Sequence, residues 1–537
     1  MGKQFDRAVR ALADKSHAGG RFDNALFDGH QSCAYELAVI HAELAAAGAL
    51  LDGARSALDR SLATVFAADA LQFAVERLDG VFLGLGVEGA EMAALRSDPD
   101  YVDARAAGAQ PGFLAELGAR IFAGDDSFGQ VQLEEDVELA RASFARFARD
   151  VVAPLAEGIH RGDLTVPEDL LQPMREMGAF GLSIPESYGG FAANDSENNA
   201  LLIAVTEALS HASLAAAGSL ITRPEILSRA LLAGGTEAQK QKWLPGIAAG
   251  HPLCAIAITE PDYGSDVAGL RLRGTKVEGG WQLNGAKTWC TFAGKAQVLM
   301  AVTRTDPDLS LGHRGLSLLL VEKPSFDGHE FRIEQPGGGV LAGRAIPTIG
   351  YRGMHSFELA FEDFFVPDAN VIGEEEGLGR GFYLTMAGMV GGRLQTAGRA
   401  LGVMRAALDA AIEYSGQRKV FGDTLGSRQL TQVKLARMAA RYAACRHLAY
   451  GVGRKIDQGG GTMAASLVKL IACRAAEGIT REALQIHGGM GYAEETAVSR
   501  YWLDARVLSI FEGAEETLAI KVIARDLVQA SHAGADD

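Results

Sequence analysis

Near the end of the sequence a glutamate stands between two bulky apolar residues and a glycine, Ile510-Phe511-Glu512-Gly513. Shortly before it runs Gln485-Ile486-His487-Gly488-Gly489-Met490-Gly491-Tyr492. Glycines carry no Cβ, so a flat ligand can approach the backbone there. A carboxylate beside apolar side chains loses hydration, which raises its pKa and makes it usable as a base near neutral pH. The same residues also read as a glycine-rich turn and a surface glutamate, and other segments have to decide between the two.

Three segments bear on that choice. Ile258-Thr259-Glu260-Pro261-Asp262-Tyr263-Gly264-Ser265-Asp266 offers two hydroxyls and exposed amides over a tight turn, suited to the edge of a polar ring system. An Asx-type turn is the other reading. In Lys287-Thr288-Trp289-Cys290-Thr291, Trp289 can stack on a ring and Thr291 can donate to a ring nitrogen; alone it is an aromatic in a strand. Arg418-Lys419-Val420-Phe421-Gly422, with Gln429 just beyond, places a planar two-pronged donor where a pyrophosphate would fit. An arginine after a helix is otherwise a partner for the helix dipole.

The elements that must position these segments follow from periodicity. Residues 1–130 are Ala- and Leu-rich and helical, with Phe66 and Phe73 on one face and glycines at 80, 84, 86 and 89 as breaks. They read as an appended helical domain. From 131, Val137, Ala140, Phe144, Phe147 and Val151 step by three and four, and Pro154 ends or kinks that helix. A short helix is expected over 163–181, and helix again over 196–249 with breaks at Arg223-Pro224 and Gly234-Gly235. Residues 253–370 change to strand patterns, with Asn284-Gly285 as a hairpin turn and a long Gly/Pro-rich loop over about 325–350. Beyond 370 the chain returns to helices: one through Ala397, Leu401, Met404, Leu408 and Ile412, then 429–457, 462–485 and 515–529. The glycines at 459–461 divide the middle pair, and Glu515 and Glu516 suit the first turn of the last.

A chain of 537 residues exceeds one hydrophobic core. The divisions expected are 1–130, 131–252, 253–370 and 371–537. A net charge of −16 argues against nucleic acid and against an anionic membrane surface. The five cysteines show no CxxC pair and no histidine stands at metal spacing, so no metal site is expected. The first ten residues show no secretory or transit pattern, Asp6 stands where a myristoylation signal wants Ser or Thr, and no apolar run looks long enough to span a bilayer. A cytoplasmic location is the expectation.

These segments, in this order, resemble the acyl-CoA dehydrogenase family over residues 131–537. The resemblance implies a mainly α fold with a central β domain: a helical domain, the β domain and a C-terminal four-helix bundle, here with an N-terminal helical extension. It implies FAD. Ile258 and Thr259 would contact the isoalloxazine edge, Trp289 would pack along it and Thr291 would hydrogen-bond N5. Ser265 would lie near the flavin or the CoA path. Arg418, Phe421 and Gln429 would bind the pyrophosphate and adenine side of an FAD held mostly by another subunit, with Gln485, Gly488 and Gly489 lining that same FAD. A homo-oligomer, dimer or tetramer, with shared sites follows from that arrangement. Glu512 matches the family's base, and the alternative position on the long bundle helix is Gly392, just before Arg393. Arg393 and Gly513 would border the substrate. Ala514 departs from the Thr that usually follows Glu-Gly, which puts one adenosine-side hydrogen bond in doubt.

The implied reaction is α,β-dehydrogenation of an acyl-CoA thioester. Glu512 takes the α-proton, FAD accepts the β-hydride, and electrons pass to an electron-transferring flavoprotein. The extension and the lengthened loop before Ile349-Gly350-Tyr351-Arg352-Gly353-Met354-His355-Ser356 resemble the branch that oxidises (2S)-methylsuccinyl-CoA to mesaconyl-CoA in the ethylmalonyl-CoA pathway. A substrate with a free carboxylate needs a cation in an apolar pocket. Arg223, Arg352 and His355 are the candidates, each otherwise a surface charge or structural pair. A short- or branched-chain acyl-CoA dehydrogenase and an acyl-CoA oxidase are alternatives within the fold. A non-catalytic flavoprotein that serves as an assembly partner is the alternative of another class.

Overall fold

The computed structural model describes residues 1–88, 90–193, 198–459, 461 and 463–533. Gly89 and Gly460, both expected helix breaks, lie outside the described residues. The fold is mainly α with a central β sheet, and the chain forms two compact units, 1–134 with 400–537, and 135–399.

The first unit is helical throughout its core. The Ala/Leu-rich stretches form Gln31–Gly53 and Ala57–Leu85. Ser56 caps the second by accepting from the Asp59 N–H at 2.8 Å, and Gly86 ends it in the left-handed region at φ 66°. Gln31–Gly53 packs mainly on Ala57–Leu85 and also on Gln429–Asp457 and Met463–His487 from the far end of the chain. Pro111–Phe122 lies so close to Gln429–Asp457 that a Cβ on Gly118 would stand 1.9 Å from the Gln432 carbonyl oxygen. The extension is therefore built into the same core as the C-terminal helices. Gln31–Gly53 also corrects one expectation: it is long and apolar enough to cross a membrane, and 56% of its most apolar window is buried inside this unit. A helix that is apolar on every side is what a core position demands.

His447 reports on this shared core. It is buried in Gln429–Asp457 against Gly53, and its Nε2 has no hydrogen-bond partner among the described residues. Burial, with Arg446, Arg454 and Arg55 nearby, pushes its pKa from 6.5 down to about 4. The neutral ring is favoured in the folded state. Its contribution is complete above pH 6.5 and is lost as the pH falls to about 4, by about 3 kcal/mol in all. Urea midpoints measured across that window should fall for the native protein and fall less steeply for His447→Gln.

In the second unit, helices Glu135–Phe147, Ala153–Arg161, Glu168–Glu176, Asn199–Ala212, Thr222–Gly234 and Glu237–Ala248 accompany an eight-stranded sheet. The strand order is Cys254–Ala257, Val298–Arg304, Arg273–Val277, Gly280–Thr291, Ser356–Pro367, Val340–Ala345, Glu330–Glu334, and Leu316–Glu322 pairs with Val298–Arg304. Every residue of Val298–Arg304 is buried, as befits a strand covered on both faces.

Five local expectations are corrected. The helix before Pro154 does not end there: a π-turn, Ala148–Val152, carries it on into Ala153–Arg161. Ala140 and Val151 are only half-buried. The 163–181 stretch shortens to Glu168–Glu176 plus the turn Ala179–Gly181. The hairpin turn is at Glu278-Gly279, with Gly279 at φ 74°, and Asn284-Gly285 runs inside Gly280–Thr291. There Asn284 donates to the Asp363 carboxylate and accepts from its N–H, opposite a bulge in Ser356–Pro367. The expected 325–350 loop contains a hairpin, Glu330–Glu334 with Val340–Ala345, anchored by buried Phe331 and Leu341.

Candidate active site

In the 135–399 unit the strand Gly280–Thr291 bulges as it reaches its end. Its pairing to Ser356–Pro367 skips between Lys287 and Cys290, so Thr288 and Trp289 oppose Glu358 alone. Trp289 adopts φ 57° and is 55% exposed, a conformation and a location that cost free energy without a ligand to cover the ring. The Thr288 N–H donates to the Thr259 carbonyl at 2.8 Å, which brings the 258–266 segment alongside. Ile258 and Thr259 are half-buried and Ser265 is exposed. The expected tight turn closes by paired backbone bonds between Glu260 and Tyr263. Thr291 is buried and shares a hydrogen bond with Ser356 Oγ at 2.9 Å.

A buried ion pair fixes this region. Lys287 Nζ donates to the Ile258 carbonyl and to Glu260 Oε1, both at 2.8 Å. Glu260 also accepts from the N–H groups of Arg271 and Leu272 at 2.7 and 2.8 Å. Burial pushes the Lys287 pKa down, against the pull of Glu260.

Three cations expected as carboxylate ligands separate into two settings. Arg352 lies 3.3 Å from Asp163 Oδ1, and His355 Nε2 lies 3.1 Å from the same oxygen. His329 Nε2 is 3.1 Å from His355 Nε2, and the ligand atoms of Asp163, His329 and His355 all lie within 4.8 Å of one another. No spacing in the sequence announces that trio. Arg223, in the first turn of Thr222–Gly234, is buried; it donates to the Ser219 carbonyl at 2.9 Å and to Tyr351 Oη at 3.3 Å. Among the described residues no carboxylate lies within ion-pair distance of its guanidinium. Tyr351 comes from the lengthened loop, at φ 59°, and also accepts from Arg399, a fully buried arginine that the sequence reading passed over. Gly392 is buried and Arg393 half-buried on the helix Gly381–Gln417.

In the first unit, Glu512 stands at the apex of a seven-residue loop. The Glu515 N–H donates to the Ser509 carbonyl at 3.0 Å and closes its base. Glu512 takes φ 53° and Gly513 φ 95°. Glu512 is half-buried and Ile510 is 56% exposed, so the apolar setting expected of it is partial within this chain. Lys469, buried in Met463–His487, donates to the Phe511 carbonyl at 2.7 Å and the Gly513 carbonyl at 2.5 Å. One ammonium thus holds the carbonyls of the two residues on either side of Glu512. The signal for Lys469 was a lone charge inside Leu467-Val468-Lys469-Leu470-Ile471.

Two further segments meet in this unit. Arg418 is exposed ahead of a two-residue-strand hairpin, Lys419–Val420 with Asp423–Thr424. Phe421 at its tip has φ 49° and is 97% exposed. Tyr414, one turn before Arg418, stacks on His487 with ring centroids 4.3 Å apart. That contact brings the end of Gly381–Gln417 against the end of Met463–His487, where Gln485, Gly488 and Gly489 are exposed, as is Gln429. Gly488 has φ 58°, and nothing lies within 4 Å of where its Cβ would be. A cleft of about 550 Å³ opens beside the Glu512 loop, its charged lining balanced between Arg474, Arg481 and Arg506 and Glu477, Glu515 and Glu516.

Comparison with known proteins draws these pieces together. Profiles of the acyl-CoA dehydrogenase N-terminal, middle and C-terminal domains match residues 134–251, 255–364 and 379–528. The chain belongs to the acyl-CoA dehydrogenase family. It is 41% identical to (2S)-methylsuccinyl-CoA dehydrogenase of Cereibacter sphaeroides over 407 residues, 75% of this chain and 72% of that one. Its fold matches butyryl-CoA dehydrogenase of Megasphaera elsdenii with a TM-score of 0.67 at 30% identity, covering 74% of this chain and 99% of that one. It also matches a glutaryl-CoA dehydrogenase of Mycobacterium smegmatis in complex with FADH2, TM-score 0.63 at 26% identity, covering 72% and 94%. Residues 1–133 precede the span of the family profiles. The protein is a flavin-dependent acyl-CoA dehydrogenase and FAD is its cofactor. Within the 135–399 unit, the exposed ring of Trp289 beside the 258–266 segment suits the flat face of a flavin. Within the other unit, Gly488 and Gly489 leave open backbone that a dinucleotide can approach.

Proposed function

We propose that the protein oxidises (2S)-methylsuccinyl-CoA to mesaconyl-CoA, with Glu512 as the base that takes the α-proton. FAD, when bound, accepts the electron pair and hydrogen from the β-carbon. Ile258, Thr259, Ser265, Trp289 and Thr291 bind its ring system. Arg418, Phe421, Gln429, Gln485, Gly488 and Gly489 serve its pyrophosphate and adenine side across a subunit boundary in a homo-oligomer. Arg393 and Gly513 border the thioester, and the Glu512 N–H donates to its oxygen as charge develops, a contribution of roughly 3–4 kcal/mol for such a donor. An electron-transferring flavoprotein takes the electrons, in a reducing cytoplasm that suits five free, buried cysteines.

Arg223 carries the choice of acyl group. A guanidinium this buried, hydrogen-bonded to a carbonyl and a phenol and without a carboxylate beside it, is suited to an anionic substrate. The relative from Cereibacter sphaeroides supports the same reading. Anaerobic flavin bleaching by methylsuccinyl-CoA, butyryl-CoA, isobutyryl-CoA and glutaryl-CoA tests it: methylsuccinyl-CoA should bleach fastest. Fastest bleaching by a monocarboxylic thioester would remove both the substrate and the role of Arg223.

Arg223→Gln should lower kcat/KM for methylsuccinyl-CoA by about 100-fold, the scale of losing one partner of a buried charge pair, and should change butyryl-CoA by less than about tenfold. Arg352→Gln and His355→Gln, whose native side chains meet Asp163, should leave that ratio unchanged. A ratio altered by those two and not by Arg223→Gln would move the carboxylate site to the Asp163 cluster.

A further inference from the structure

The N-terminal extension reaches the loop that carries Glu512. Tyr35, on Gln31–Gly53, donates its O–H to Glu515 Oε1 at 2.5 Å. Arg474, on Met463–His487, donates through Nη1 to Tyr35 Oη at 2.8 Å and to Glu515 Oε1 at 2.5 Å. Glu515 is the residue whose N–H closes the loop onto Ser509, so its side chain and its backbone are held together. Burial and the Glu515 carboxylate push the Tyr35 pKa up to about 12, so the phenol stays a donor throughout the neutral range.

The loop contains two successive residues at positive φ, Glu512 and Gly513, a conformation that the surroundings must impose on a glutamate. Lys469 imposes it through the carbonyls of 511 and 513. The Tyr35–Arg474–Glu515 cluster fixes the foot of the loop, and charge-assisted bonds of this length are the stronger kind.

We propose that Tyr35 is a positioning residue for the reaction: through Arg474 and Glu515 the extension holds the loop whose apex is Glu512. The assignment rests on the reading of Glu512 as the base. It gives residues 1–134 a role in catalysis that is separate from their packing. Tyr35→Phe keeps the ring and its burial and removes only the donor.

The test is single-turnover flavin bleaching by methylsuccinyl-CoA, or by butyryl-CoA if that is the thioester that bleaches, using FAD-loaded full-length protein. Tyr35→Phe should keep its FAD content, its thermal midpoint and a substrate Kd within about twofold. Its bleaching rate should fall on the order of 10- to 100-fold, the scale of a small misplacement of a reacting group. Its isotope effect with α-deuterated substrate should rise, because proton abstraction becomes the slower event. Lys469→Met, which frees the 511 and 513 carbonyls, should show the same pattern. Tyr35→Phe bleaching at the native rate while Lys469→Met is slow would overturn the proposal. So would a rate lost only in proportion to lost FAD or lost stability. Glu512→Gln bleaching at the native rate would instead remove the base assignment on which the proposal stands.

Discussion

Glu512→Gln is expected to bind FAD as the native protein does and to reduce it about 10²- to 10⁴-fold more slowly, the range that a positioned base supplies. The amide is nearly isosteric and has no useful affinity for a proton. The loop should keep its shape, because Lys469 and Glu515 hold it through backbone atoms at 511, 513 and 509 that the substitution leaves in place. Stopped-flow absorbance of the flavin, with FAD content measured on the same sample, separates lost chemistry from lost cofactor. A rate within tenfold of native would place the base elsewhere. Glu512→Gly offers a second readout. Glycine adopts φ 53° freely, so this variant should unfold at a higher temperature while turning over no substrate, a trade of stability against activity confined to one residue.

Lys287→Met is expected to destabilise the 135–399 unit by about 3–5 kcal/mol, since removing one partner strands a buried charge on the other. The lower end is expected, because Glu260 keeps two backbone donors from Arg271 and Leu272. The same change frees the Ile258 carbonyl and loosens the segment that contacts Trp289 through Thr288 and Thr259. FAD should therefore be lost more readily on gel filtration, and the thermal midpoint should drop. Lys287→Met combined with Glu260→Gln should recover part of the loss, because no charge is then stranded. Full FAD retention and an unchanged midpoint in the single variant would show that the pair neither stabilises nor shapes the segment.

The long periodic helices were legible because a buried stripe at positions such as Ala397, Leu401, Met404 and Leu408 leaves few alternatives. The β region was legible from its β-branched runs, but not its pairing. Asn284-Gly285 has the composition of a turn, and only the register with Ser356–Pro367 shows that the chain runs straight through it. The hairpin at 330–345 was hidden by its glycines and by a single buried aromatic, Phe331. Within the site, Glu512 and the glycines near 488 stood out by type and spacing. Lys287, Tyr35 and Arg474 did not, because each acts on a carbonyl or carboxylate distant in the chain, and such pairings leave no local pattern; Lys469 showed only as a lone charge in an apolar run, with nothing to name its partners. The Asp163, His329 and His355 trio was missed for the same reason.

Residues 1–134 and 400–537 complete one unit, so the order of synthesis matters. The faces of Gln31–Gly53 that meet Gln429–Asp457 and Met463–His487 have no native cover until the last quarter of the polypeptide has left the ribosome. At ordinary elongation rates that interval lasts roughly tens of seconds. An apolar helix waiting that long is a natural client for a holding chaperone, and a message truncated near residue 400 would leave that surface permanently bare.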